Sequence, residues 1–252
     1  MPFEFAADDL QQCATRIDAS IRNVFQRLEA MAAEVQAIWR AAAQRGATPV
    51  ARDFAALRPR IQRNLACSQC RMHGTGVVLE PGALADRDMF LEWWYQGPGG
   101  RAVQLALSFD RRSEHFYDYP DMPWYSRPRS TGRPSVEGPF VDLYGTDLYI
   151  LAFSIPIQVD GRFVGVAAAD IAVQAFEPVL LRNLLRLGNE ALVVNAEGRV
   201  VAANTANWFV GDMARQALGD GQEQPRVQAL LASSSLWSVV ERPVSRQQAG
   251  PA

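Results

Sequence analysis

The chain has 252 residues, 48% of them hydrophobic and 21% charged, which is enough apolar material for one large domain with a smaller companion. A net charge of -2 excludes the basic excess that nucleic-acid or membrane-surface binding requires. All 25 basic residues are arginine, which removes Schiff-base chemistry and a P-loop lysine, and 3 cysteines indicate no disulfide framework.

The opening stretch MPFEFAADDLQQ is acidic and lacks the apolar core of a secretory leader. No run of about 18 apolar residues follows, so no membrane span is predicted and the expectation is a soluble, cytoplasmic protein. Residues 8–45 read as one long helix. Leu10, Ala14, Ile17, Ile21, Val24, Leu28, Met31, Val35 and Ile38 recur at alternating spacings of four and three, the seam of a coiled coil. Asp8 or Asp9 is expected to cap its start and Gly46 its end. Such a seam either packs on the chain's own domain or joins two chains as a homodimer, and one long helix has room for both.

A second helix over residues 52–65 leads into CSQCRMH. Cys67, Cys70 and His73 are spaced to offer three metal ligands, with no obvious fourth; the alternatives are a redox pair or two buried thiols at a helix end. Strands are expected over 74–80, 89–95, 102–110, 147–157 and 163–171, with turns at QGPGG and VDGR. Between them, residues 111–146 read as a long irregular connection, of the length that usually carries function. It contains YDYPDMPWY, residues 117–125, which gathers aromatic faces and carboxylates between prolines. Beyond it come a helix over 178–188 starting at its proline, a hairpin over 190–204, two helical pieces, a strand over 237–243, and a tail expected to be disordered.

No nucleophile elbow, dinucleotide-binding glycine fingerprint or HExxH motif occurs, and two histidines leave little general-base capacity, so no catalysis and no cofactor are expected.

The chain resembles the double Cache (dCache) sensors. The residues that carry the likeness are the pair Trp124-Tyr125, the stretch PFVD (139–142) where a Pro-Tyr-x-Asp motif is usual, and FSIPIQVDGRFVGVAAADI (153–171) with its Gly-Val-x-x-x-Asp-Ile ending. The resemblance implies an α+β fold: a long N-terminal helix (1–46), a larger PAS-like antiparallel sheet domain that binds ligand (47–175), a smaller one (176–245) and the tail (246–252). Family members that bind amino acids follow Tyr-x4-Arg-x-Trp-Tyr with later aromatic and aspartate positions. Tyr117, Trp124 and Tyr125 fill that pattern, Phe140 stands for the usual tyrosine, and Asp142 and Asp170 close it, but Met122 occupies the arginine position.

In the resembling proteins the arginine holds the ligand carboxylate, while aromatics and aspartates hold the ammonium. Replacing a bidentate guanidinium by a thioether removes only the carboxylate partner. The expected ligand is therefore a cationic amine, polyamine or quaternary ammonium compound, with Asp118 and Asp121 adding negative field if they face inward. Arg127 or Arg129 reaching into the site would restore amino-acid binding. Output is expected through the N-terminal helix, within a homodimer or to a separate signalling partner such as a transcriptional regulator. The competing reading is a helix-driven assembly module whose ligand site is vestigial, and Phe140 then serves only the core.

Overall fold

In a computed structural model, the structure describes residues 5–143, 147–214, 224–234 and 236–242, with the side chains of 5–8 left out. Helix α1 (Phe5–Gln44) is followed by a 3-10 helix (Ala51–Leu57) and α2 (Arg58–Leu65). Strands β1 (Gly74–Leu79), β2 (Leu91–Gln96) and β3 (Ala102–Gln104) precede α3 (Pro123–Thr131). Then come β4 (Ser135–Val141), β5 (Tyr149–Val159) and β6 (Arg162–Ala172), which runs into α4 (Val173–Leu184). The last elements are β7 (Glu190–Asn195), β8 (Val200–Ala203), β9 (Arg226–Leu230) and β10 (Trp237–Arg242). The expected α+β class, a long helix and then two antiparallel sheets, is what the chain adopts.

The described residues divide into two compact units, one running from Arg22 to Ala175 and the other taking those up to Ile21 with those from Phe176 onward. In the first unit, a six-stranded sheet has the order β3-β2-β1-β6-β5-β4, every neighbouring pair antiparallel. The long β5–β6 hairpin turns at Asp160-Gly161, both at positive φ, as a two-residue hairpin turn demands. The α1 residues Val24, Leu28, Met31 and Val35 are buried here, and Phe25 packs its ring 5.7 Å from that of Phe153 on β5. Trp39 meets Phe54 of the 3-10 helix edge-on at 5.5 Å, and Gln36 Nε2 donates to the Gln158 carbonyl at 2.9 Å.

In the second unit, a four-stranded sheet has the order β8-β7-β10-β9. Leu10, Ala14, Ile17 and Ile21 of α1 are buried, and the carboxylate of buried Asp18 accepts the backbone N–H groups of Leu231 (3.1 Å) and Ala232 (2.9 Å). Those two donors lie just past the end of β9, where no ladder partner would otherwise take them.

Eight of the nine seam residues, Leu10 through Val35, are buried within the single chain and Ile38 is half-buried. Helix α1 begins at Phe5, which places Asp9 inside it rather than at its cap. Helix α4 begins at Val173, with Pro178 in its interior instead of at its start. The helical pieces expected after the hairpin fall partly on 215–223, which lie outside the described residues; among the described residues between β8 and β10 there are only turns and β9. The tail over 246–252 lies outside the described residues.

Candidate ligand-binding site

One face of the larger sheet is hollow, and strand periodicity explains why. On β6, Val166, Ala168 and Asp170 share a face. Asp170 stands opposite Gly74 on one side and Ala152 on the other, while Ala168 stands opposite Gly76 and Ser154. Glycines and alanines around one carboxylate leave unfilled space above it. Large residues then wall that space: Leu91 and Trp93 from β2, Tyr117 and Trp124 from the segment before and at the start of α3, and Phe140 with Ile150 from the β4–β5 pair. The cavity measures about 500 Å³ with its mouth included.

A bulge on β4 aims its last members. Glu137 pairs with Ala152, but the next pair is Phe140 with Ile150, one extra residue having been inserted at Gly138-Pro139. The insertion keeps Phe140 on the cavity face and brings Asp142, two residues on, to the same rim.

Five sequence-predicted residues meet here: Tyr117, Trp124, Phe140, Asp142 and Asp170 line the cavity. Three do not. Tyr125 is fully buried beneath it, donating from its hydroxyl to Glu80 Oε2 at 2.8 Å with its ring 5.1 Å from that of Tyr119. Asp121 is exposed, as is Asp118. Met122 caps α3 in an extended conformation (φ -66°, ψ 133°) and is absent from the lining. The reason is local. Pro123 sits at the first helical position, where a missing N–H costs nothing and the fixed φ suits a helix, so the expected irregular stretch turns helical at once. That turn directs Trp124 to the cavity and removes Met122 from it. Met122→Arg is therefore expected to leave ligand preference unchanged in calorimetric comparison of an amine with its matching amino acid.

The tyrosines divide their labour. Tyr119 is fully buried and its hydroxyl donates to the Leu79 carbonyl at 2.6 Å, so Tyr119 and Tyr125 together clamp the aromatic segment onto the end of β1. Loss of one such bond to a carboxylate gives the expected result for Tyr125→Phe, about 1.5–3 kcal/mol of stability in denaturant unfolding with ligand affinity nearly unchanged. The arginines that might have replaced the missing guanidinium are engaged elsewhere: Arg127 with Glu137 at 2.5 Å and Arg129 with Glu80.

Among the described residues, Asp142 and Asp170 are the acidic side chains of the lining, which holds no basic one. Asp170 is half-buried, with part of its surface opening onto the cavity. Burial first, and the charge of Asp142 second, push its carboxyl well above the ordinary range. His73, whose N–H donates to the Asp170 carbonyl at 2.8 Å, is held below its ordinary value by burial, against the opposing pull of Asp142. Its ring stacks near Tyr95 at 6.1 Å. Cys67, Cys70 and His73 are not gathered as metal ligands; among the described residues no group of three His, Cys, Asp or Glu side chains could hold an ion.

Periodicity could have found Trp93, which the sequence reading passed over. It stands opposite Gly76 and shares the cavity face with Leu91. The signal was the alternation of β2 combined with the pairing of β1 to β6.

Residues 60–177 match the family model for the first PDC sensor domain of methyl-accepting chemotaxis protein-like proteins. This stretch is thus similar to the PDC sensor domains of those proteins. The chain is also 26% identical to the methyl-accepting chemotaxis protein TlpQ of Pseudomonas aeruginosa over 162 residues, which covers 55% of this chain and 21% of TlpQ. The chain thus spans about a fifth of that relative's length. In fold, it is similar to the ligand-binding domain of the Pseudomonas aeruginosa amino-acid chemoreceptor PctC in complex with GABA (TM-score 0.57, 18% identity, 94% of this chain and 97% of that one). It is likewise similar to the extracellular domain of soHK1S-Z6, assigned as a histidine kinase (TM-score 0.59, 16% identity, 95% and 92%).

These relatives overturn the expected cytoplasmic location, because their sensor domains belong to membrane chemoreceptors and histidine kinases and lie outside the cytoplasm. Among the described residues no helix is long and apolar enough to cross a membrane. Chemoreceptor sensor domains are non-enzymatic.

Proposed function

We propose that the cavity of the larger unit binds a small organic cation, an amine, polyamine or quaternary ammonium compound, and that the chain is the sensing part of a chemoreceptor-like protein. One observation carries this reading: Asp142 and Asp170 stand among aromatic walls, and among the described residues no arginine or histidine lines the cavity. A cation gains from the faces of Trp93, Trp124 and Tyr117, about 0.5–2 kcal/mol for each well-placed ring. It also relieves the repulsion between the two carboxylates. A free amino acid would bring its carboxylate to a site with no cationic side chain to receive it.

Signal output follows from the other face of the same strands. Phe153 on β5 neighbours the cavity residue Ala152 and packs against Phe25 of α1. A ligand that favours one position of β5 shifts α1 by its differential affinity for the two arrangements. The receiver is a separate signalling partner or a segment beyond this chain.

The test is a thermal-shift and calorimetry panel of amines, polyamines and quaternary ammonium compounds, each beside its corresponding amino acid. Binding to the folded state raises the melting temperature by mass action. Shifts for the amines alone support the reading. Shifts for the amino acids alone would sink it and assign the carboxylate to backbone N–H groups, and silence from stripped protein would favour an assembly module.

A further inference from the structure

The turn after α2 holds a second chemistry, apart from the cavity: we propose that Cys67 and Cys70 form a reversible disulfide by exchange with a low-molecular-weight disulfide such as oxidised glutathione. The backbone already holds them at bonding range. The N–H groups of Cys70 (3.2 Å) and Arg71 (3.3 Å) both donate to the Cys67 carbonyl, closing a tight turn. A turn of this kind keeps its first and fourth Cα atoms within about 7 Å, close to the span a disulfide bridges. The two sulfurs lie near enough for each to shift the other's proton affinity.

The pair is asymmetric, as stepwise exchange requires. Cys67 is partly exposed, while Cys70 is buried with its Sγ donating to Asn23 Oδ1 of α1 at 3.0 Å. Arg27, also on α1, sets its positive charge beside both sulfurs, and among the described residues its buried Nε has no hydrogen-bond partner. Partial burial would raise the Cys67 thiol. Hydrogen bonds from Cys70 and Gln69 and the charge of Arg27 outweigh it, and Cys67 lies below its ordinary value. Burial pushes Cys70 up to about 11. Cys67 is thus the attacking thiol and Cys70 the resolving one.

The electrons balance in two displacements. The Cys67 thiolate attacks one sulfur of the external disulfide, forming a mixed disulfide and expelling one small thiolate. Cys70, giving up its proton, then attacks the Cys67 sulfur and expels the second. Two protein thiols are oxidised to one disulfide, the external disulfide is reduced to two thiols, and the protons of Cys67 and Cys70 pass to the leaving thiolates. Closure removes the proton that Cys70 shares with Asn23, so the redox state of the pair is felt directly by α1.

The experiment equilibrates the folded protein with oxidised and reduced glutathione, blocks free thiols, and maps peptides without reduction. The expected result is joint loss of the Cys67 and Cys70 thiols as one linked peptide. Cys13, fully buried and pushed up to about 11 by that burial, should stay free. Cys70→Ser should trap glutathione on Cys67, Cys67→Ser should leave Cys70 unmodified, and Arg27→Gln should slow the first step several-fold. A glutathione adduct that persists on Cys67 of the unaltered protein overturns the proposal. So does loss of the two thiols only in denaturant, together with Cys13.

Discussion

Asp170→Asn is expected to raise the melting temperature of the ligand-free protein and to abolish binding of a cationic ligand in the same step. Both effects come from one carboxylate kept in a protein-lined hollow beside Asp142. Burial raises its pKa, so the folded protein holds this proton to higher pH than the unfolded chain, where an aspartate titrates near about 3.9. The stability linked to this group is complete below the unfolded value and is lost as pH rises through the folded one. Above the unfolded value this group is therefore a cost to the fold, either as a buried charge or as a proton the folded state must take up, and a neutral amide of the same shape removes that cost. Each kcal/mol relieved corresponds to about 2–4 °C in a chain of this size.

Binding responds in the opposite sense. A cation needs Asp170 ionised, so affinity should climb with pH across the window in which unliganded stability falls. Where Asp170 is still protonated, binding must expel that proton. Calorimetry in buffers of different ionisation heat reads the expulsion directly. Removing the partner of a buried charge typically costs about 2–5 kcal/mol, roughly thirty-fold to several-thousand-fold in Kd. A lower melting temperature for Asp170→Asn at neutral pH would mean that a group in the fold already neutralises the carboxylate. Unchanged affinity would mean that the cavity does not read charge.

The residues that made this site legible were those whose positions strand geometry alone dictates. Val166, Ala168 and Asp170 alternate on β6, and the hairpin at Asp160-Gly161 sets the partner strand, so the sequence contains both the carboxylate and the small residues that leave room around it. Asp142 and Phe140 were found through their motif, yet only the bulge at Gly138-Pro139 explains why both reach the cavity. Met122 was misplaced because spacing along a chain says nothing about direction once a proline starts a helix at the next residue. The alternation over 102–110 was real but became a strand only as far as Gln104; beyond it Leu105 and Leu107 face the cavity from a segment that lacks a continuous ladder. The α1 seam was legible as a stripe, but a stripe carries no label for what covers it.

Gly165→Ala should be among the most damaging single methyl additions in the larger unit, with an expected loss of about 3 kcal/mol in denaturant unfolding. This glycine opens the GVAAADI run that ends at Asp170 and Ile171. Two independent penalties fall on it. Its φ of +145° is a backbone conformation that side chains rarely adopt, and an added Cβ would lie 2.3 Å from the Val78 carbonyl oxygen and 2.7 Å from the Leu79 Cα. Those are backbone atoms of β1, which cannot rotate aside as a flexible side chain would. Relief requires β1 to move away from β6 near Val78, and the same ladder sets Gly76 against Ala168 and Gly74 against Asp170. The substitution should therefore weaken ligand binding as well as the fold, although Gly165 itself does not line the cavity. Gly161→Ala is the control: its φ of +77° carries conformational strain, but nothing lies within 4 Å of the added carbon. That change should cost only about 1–2 kcal/mol and leave affinity intact. Equal losses from the two substitutions would show that strand contact at Gly165 is loose, and that the close approach of β1 and β6 is not what holds the floor of the cavity.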